Sequence, residues 1–131
     1  ALRVRRTGGA VVLLSIIEPD EHQHWLGVEG IMRAEAWGAL ETLQSRQVAR
    51  IAAFGSIKVE KVIREGKKVD AVEAQIAEDP DIAILVLAAA DSAEGPGPLV
   101  ASIAARGANA FGVPVTVVPG TISDSDLAAL C

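Results

Sequence analysis

The 131-residue sequence has little cysteine, few aromatic residues and no surplus of basic residues. Its one cysteine, Cys131, excludes an internal disulfide and fits a reducing compartment. The formal net charge of −5 argues against nucleic acid as the main partner, since phosphate binding needs a basic surface. The longest uninterrupted apolar run, Ile82 to Ala90, is less than half the length of a bilayer-spanning helix. We therefore expect a cytoplasmic protein with neither a membrane nor a nucleic-acid partner.

Hydrophobic periodicity predicts alternating helices and strands. The apolar run Ala10–Ile17, interrupted only by Ser15, and the continuous apolar run Ile82–Ala90 are typical of buried parallel strands, and weaker strand patterns are present at 57–63 and 113–118. Helical spacing of apolar residues predicts helices up to residue 7 and at 28–54, 69–79 and 98–110. Such alternation produces an open, doubly wound parallel sheet covered by helices, that is, a Rossmann-like α/β fold.

Because helices and strands alternate, the predicted helix at the amino-terminal end of this order implies that a strand precedes it. In doubly wound folds with the strand order 3-2-1-4-5, the first strand lies in the middle of the sheet. Without that strand, two half-sheets with unpaired backbone groups remain. We expect the natural protein to have a further amino-terminal strand, so that the first strand of the five-stranded sheet is missing from this chain.

The pattern divides the chain into an α/β domain at 1–119 and a carboxyl-terminal tail at 120–131. In the tail, Ser123 and Asp126 have the spacing of a capping box, which predicts a helical turn that begins there.

Three segments resemble the universal stress protein family. They are Val62 to Gly66 with the helix that follows, the run Asp81 to Leu87, and the final Pro114 to Val118. The resemblance implies a stress-response protein with a five-stranded parallel sheet of the adenine nucleotide alpha hydrolase type. It also implies a homodimer joined through the last strand, at Val115, Thr116, Val117 and Val118.

Members of that family that bind ATP carry a glycine motif after the fourth strand. With Pro114 as the anchor, its three glycine positions fall on Ala88, Asp91 and Ala101, and its hydroxyl position on Ser102. A phosphate cradle needs close approach of backbone N–H groups, which side chains obstruct. The Asp91 carboxylate would also repel a phosphate. We therefore predict a non-catalytic module without a cofactor, which does not bind ATP tightly and whose protein partners are unknown.

An ATP- or AMP-binding switch is the alternative. Gly95 and Gly97 precede Pro98 at a helix start, where free N–H groups and the hydroxyl of Ser102 offer donors to an anion. A capping turn is the plainer interpretation of the same residues.

The remaining candidates do not form a catalytic constellation. His22 and His24 offer a weak metal site because no third ligand stands at a characteristic spacing. Ser15 lies inside a predicted strand and has no base placed to activate it. Trp37 lies off the apolar stripe of its helix, where it either leans over the stripe or marks a contact surface. We therefore predict neither an enzyme nor a metal protein.

Overall fold

The computed structural model describes residues 1–19, 28–107 and 109–130, in which helices and strands alternate as predicted. The chain divides into two units, Ala1–Lys67 and Lys68–Leu130, which are described separately below. The elements are α1 (Leu2–Thr7), β1 (Ala10–Ile17), α2 (Val28–Ala52), β2 (Lys58–Glu65), α3 (Lys68–Glu78), β3 (Leu85–Ala89), α4 (Pro98–Arg106), β4 (Val115–Pro119) and α5 (Asp124–Leu130).

The first unit is a strand–helix–strand crossover. β1 and β2 pair in parallel, in a register that runs from Ala10 opposite Lys58 to Ile17 opposite Glu65. One further bond follows the ladder, where the Gly66 N–H donates to the Ile17 carbonyl at 2.9 Å. β1 forms a strand because seven of its eight residues are apolar and most are β-branched or leucine.

Only part of the apolar side of α2 faces the sheet. Leu40 and Val48 are half-buried, whereas Ile31 and Leu43 are 63% and 46% exposed. Gln44 is instead 1% exposed and lies against the sheet. Its amide finds three acceptors there, so a hydrogen-bonded polar residue lies at the centre of the buried side of α2, between Leu40 and Val48.

The second unit also contains one parallel pair. β3 and β4 run from Leu85 opposite Val115 to Ala89 opposite Pro119. Arg106, the last residue of α4, forms an ion pair with Glu73 of α3 at 2.6 Å and donates to the Ala110 carbonyl at 2.8 Å. The buried apolar residues are Ala71, Val72, Leu87, Ala110 and Phe111. They lie on α3, β3 and the loop before β4, so the core of this unit is small.

The five-stranded sheet of the sequence prediction is not present in the described residues. They form four strands in two separate two-stranded sheets, β1–β2 and β3–β4. β1 and β3, the two apolar strands, therefore each have one hydrogen-bonded neighbour among the strands described.

The burial and length predicted for the apolar strand in the second unit were wrong. The strand begins at Leu85 rather than Ile82, and Val86 is 63% exposed while Leu87 is 8% exposed. Successive side chains point to opposite faces, so burial on both faces requires cover on both. In this unit only the face that carries Leu87 is covered.

The predicted cap in the tail is confirmed. The Asp126 N–H donates to Ser123 Oγ at 3.1 Å, and Ser123 Oγ donates to the Asp126 carboxylate at 2.7 Å. These bonds fix the start of α5. Across the ranges described, no helix combines the length and the apolar character needed to cross a bilayer.

Candidate functional site

The predicted nucleotide site lies on one strand–loop–helix segment of the second unit. β3 ends at Ala89, and the loop 90–97 leads to α4. The loop closes on its own backbone, because the Ala90 N–H donates to the Pro96 carbonyl at 3.0 Å and the Gly95 N–H to the Ser92 carbonyl at 3.1 Å. Ser92 Oγ also donates to the Gly95 carbonyl at 3.2 Å. The loop is therefore shaped by its own hydrogen bonds.

Two glycines determine the backbone conformation of this loop. Gly95 has φ 105° and Gly97 has φ 96°, which are conformations that residues with a side chain rarely adopt. Gly97 is the N-cap of α4, and no side chain caps the first turn. That turn also has no acidic residue. The start of α4 is thus compatible with an anion, as the alternative interpretation requires.

The other positions of the ATP motif differ in exposure. Ala88, Asp91 and Ala101 are exposed, whereas Ser102 is half-buried. The Ser102 hydroxyl has no hydrogen-bond partner among the described residues. Asp91 and Glu94 both bring a carboxylate to the loop, and neither forms an ion pair within the described ranges. The loop that leads to α4 therefore carries two exposed negative charges.

Gly120 is a feature of this site that the sequence does not indicate. A Cβ atom at Gly120 would lie 2.4 Å from the Ala89 carbonyl oxygen, closer than side-chain carbons approach backbone. The chain after β4 therefore touches the base of the loop through backbone alone. A glycine just after a strand is common, so only the tertiary contact distinguishes this one.

A second polar cluster lies in the first unit, at the carboxyl end of β2. Glu65 accepts a hydrogen bond from Trp37 Nε1 at 2.9 Å and one from Arg33 Nε at 2.5 Å. The bond from Trp37, together with that from Arg33, lowers the pKa of the Glu65 carboxyl below its usual 4.5. Trp37 is half-buried, and its hydrogen bond to Glu65 places the indole against the end of β2. From the sequence we singled out Trp37 but neither Glu65 nor Arg33.

Buried polar contacts tie α2 to both strands of this unit. Gln44 Nε2 donates to the Leu13 carbonyl at 3.1 Å, to Ser15 Oγ at 3.0 Å and to the Val62 carbonyl at 3.0 Å. Ser15 is therefore a structural acceptor, and the partner of its hydroxyl is the side chain of Gln44 rather than backbone.

The predicted metal site is not described. His22 and His24 lie outside the described residues. Within the part of the chain that is described, no three residues of the His, Cys, Asp and Glu types come together as a cation site.

The predicted interface strand is β4, in which Thr116 and Val117 are exposed and Val115 and Val118 half-buried.

A model of the universal stress protein family matches residues 1–119. The chain belongs to the universal stress protein family. No curated protein and no solved structure matches it. Membership carries the α/β Rossmann-like fold and a stress-response role, and the alternation of helices with parallel strands agrees with that fold.

Proposed function

We propose that this chain is a non-catalytic stress-response module that works as a homodimer and does not bind ATP tightly. Family membership supports the stress-response role. The support for weak ATP binding comes from the loop after β3, and the support for a dimer comes from β4.

The exposed carboxylate of Asp91, on the loop between β3 and α4, carries the proposal on ATP. Two like charges about 4 Å apart repel by ~1 kcal/mol in water and ~4 kcal/mol near a protein surface. Glu94 adds a second negative charge in the same loop. Ala88 and Ala101, where binders have glycine, place methyl groups where backbone would approach phosphates.

Thermal unfolding with ATP and magnesium tests this proposal. Millimolar ATP should leave the Tm unchanged, because a ligand stabilises only the state that binds it. A matched variant with Ala88→Gly, Asp91→Gly and Ala101→Gly should gain an ATP-dependent rise in Tm relative to its own ligand-free value. A rise of several degrees in the unmodified protein would contradict the proposal.

A nucleotide-dependent switch is the second candidate, and the start of α4 favours it. Gly97 caps the helix without a side chain, and the Ser102 hydroxyl has no partner in the described ranges. Both ATP and AMP therefore belong in the same titration. Stabilisation by either, abolished by Ser102→Ala, would select the switch.

The proposal of a dimer depends on the contrast between two edge strands. β2 carries five charged residues among eight, which discourage pairing with another strand at its free edge. β4 carries no charged residue among five, and its Val117 is 42% exposed. An uncharged apolar edge is suited to pairing with the same strand of a second copy.

Light scattering on a sizing column measures the dimer directly. The protein should elute with the mass of two chains, and Val117→Lys should shift it to one chain. Val86→Lys is the matched control, since Val86 is also an exposed valine of this sheet but lies on β3. A single-chain mass for the unmodified protein at about 100 μM, a concentration at which stable dimers persist, would refute the dimer.

The five-stranded sheet is the last part of the proposal. A further strand paired with β1 would complete the order 3-2-1-4-5 and would satisfy the backbone groups on the second edge of β1. Such pairing would slow hydrogen exchange at the β1 amides that point to this edge. Rapid exchange at those amides in the natural protein would contradict it.

A further inference from the structure

A groove of about 660 Å³ lies in the first unit, along the contact between α2 and β2. The groove is open to solvent, and most of its lining residues are exposed. None of its lining residues belongs to the loop after β3 or to β4. The lining residues are Trp37, Glu41, Thr42, Gln44, Ser45, Lys61 and Ile63.

The two walls of this groove run antiparallel. Trp37 of α2 donates a hydrogen bond to Glu65 at the carboxyl end of β2. Gln44, which lies further along the same helix, donates one to the carbonyl of Val62, which lies earlier on the strand. The helix wall therefore proceeds from Trp37 towards Ser45 while the strand wall proceeds back towards its start. The three hydrogen bonds of Gln44 fix the helix on the sheet, so the groove exists before any ligand binds.

The charges in the groove are of opposite sign. The Glu41 carboxylate and the Lys61 ammonium form no ion pair with any residue that the structure describes. Trp37 stands one helical turn before Glu41, and its bond to Glu65 holds the indole in place. An indole next to a carboxylate suits a cation, because both groups attract positive charge. Lys61 at the other end suits an anion.

We propose that this groove binds a short aliphatic zwitterion, with its cation at the Glu41 carboxylate and its anion at the Ser45 hydroxyl and the Lys61 ammonium. Glu41 and Ser45 are four residues apart on the helix, which is about 6 Å along its axis. An α-amino acid carries its two charges about two bonds, or roughly 3 Å, apart and cannot reach both ends. Ile63 offers an apolar floor for the methylene groups in between. The ligand class is therefore an ω-amino carboxylate such as 4-aminobutyrate or 5-aminovalerate.

A chain-length series tests the spacing. Glycine, 4-aminobutyrate, 5-aminovalerate and 8-aminooctanoate are titrated into the protein while the fluorescence of Trp37 is followed, with Trp25→Phe removing the other tryptophan. We expect saturable binding of the two middle compounds and at least tenfold weaker binding of the other two. The same affinity for all four lengths, or no saturation at tens of millimolar, would overturn the proposal.

Charge variants test the two ends. Glu41→Gln and Lys61→Gln should each raise the Kd for 5-aminovalerate at least tenfold. Glu60→Gln is the matched control, because Glu60 alternates with Lys61 on β2 and points to the face away from α2. Equal losses in Glu60→Gln and Glu41→Gln would show a general effect of charge and refute the site. Unchanged urea midpoints establish that each exposed substitution leaves the fold intact.

Discussion

The central position of Gln44 gives the most direct test of how the first unit is held together. Gln44 Nε2 lies within 3.1 Å of three acceptors on two strands, and the residue is 1% exposed. Its two amide hydrogens allow two full hydrogen bonds at a time. Replacement by alanine removes both bonds and leaves a small cavity between α2 and the sheet.

The expected loss follows from these contacts. Each hydrogen bond contributes about 1 kcal/mol net, and the cavity adds about 1 kcal/mol or more. We therefore expect Gln44→Ala to lower the free energy of unfolding by about 2–4 kcal/mol. Gln44→Glu should lose more at neutral pH, since an ionised carboxylate donates nothing to three acceptors. It should recover in acid, where a protonated carboxyl donates one bond.

Urea unfolding followed by circular dichroism measures these differences. Gln47→Ala is the matched control, because Gln47 is exposed on the same helix and its replacement should change stability by less than about 0.5 kcal/mol. Equal stability of Gln44→Ala and Gln47→Ala would refute the reasoning. So would a Gln44→Glu variant as stable as the original protein at pH 7.

Two further predictions concern single contacts. The hydrogen bonds from Trp37 and Arg33 hold the pKa of Glu65 below its usual 4.5, so they stabilise the native state above that pH and this stabilisation is lost as pH falls through the folded pKa. The unmodified protein should therefore lose its stability advantage over the Glu65→Gln variant in acid. An advantage that grows below pH 4.5 would contradict this prediction. Gly120→Ala should cost about 1–3 kcal/mol, because its Cβ would meet the Ala89 oxygen. Gly38→Ala is the control: a Cβ atom at this mid-helix position meets no atom within 4 Å, so the substitution should stabilise the protein by about 1 kcal/mol. Equal effects of the Gly120→Ala and Gly38→Ala substitutions on urea unfolding would contradict the close contact between Gly120 and Ala89.

The loop after β3 shows which features of the candidate site can be predicted from the sequence. Gly95, Gly97 and Pro98 predicted a loop that opens a helix, and the structure has that arrangement because the two glycines permit positive φ while the ring of Pro98 fixes φ at the helical value. The loss of glycine at Ala88 and Ala101 is also visible in the sequence alone. The contact of Gly120 with the loop base is not, because it joins segments about thirty residues apart.

By itself, the sequence determined the order of helices and strands, the parallel pairing and the family, since apolar runs and Gly or Pro punctuation act locally. The tertiary structure decided which residues of α2 face the sheet. Gln44 is central because acceptors 31 and 18 residues away, at Leu13 and Val62, meet around it. The Trp37–Glu65 bond likewise spans 28 residues. Such choices depend on three-dimensional partners of polar groups, and hydrophobic periodicity contains no information about them.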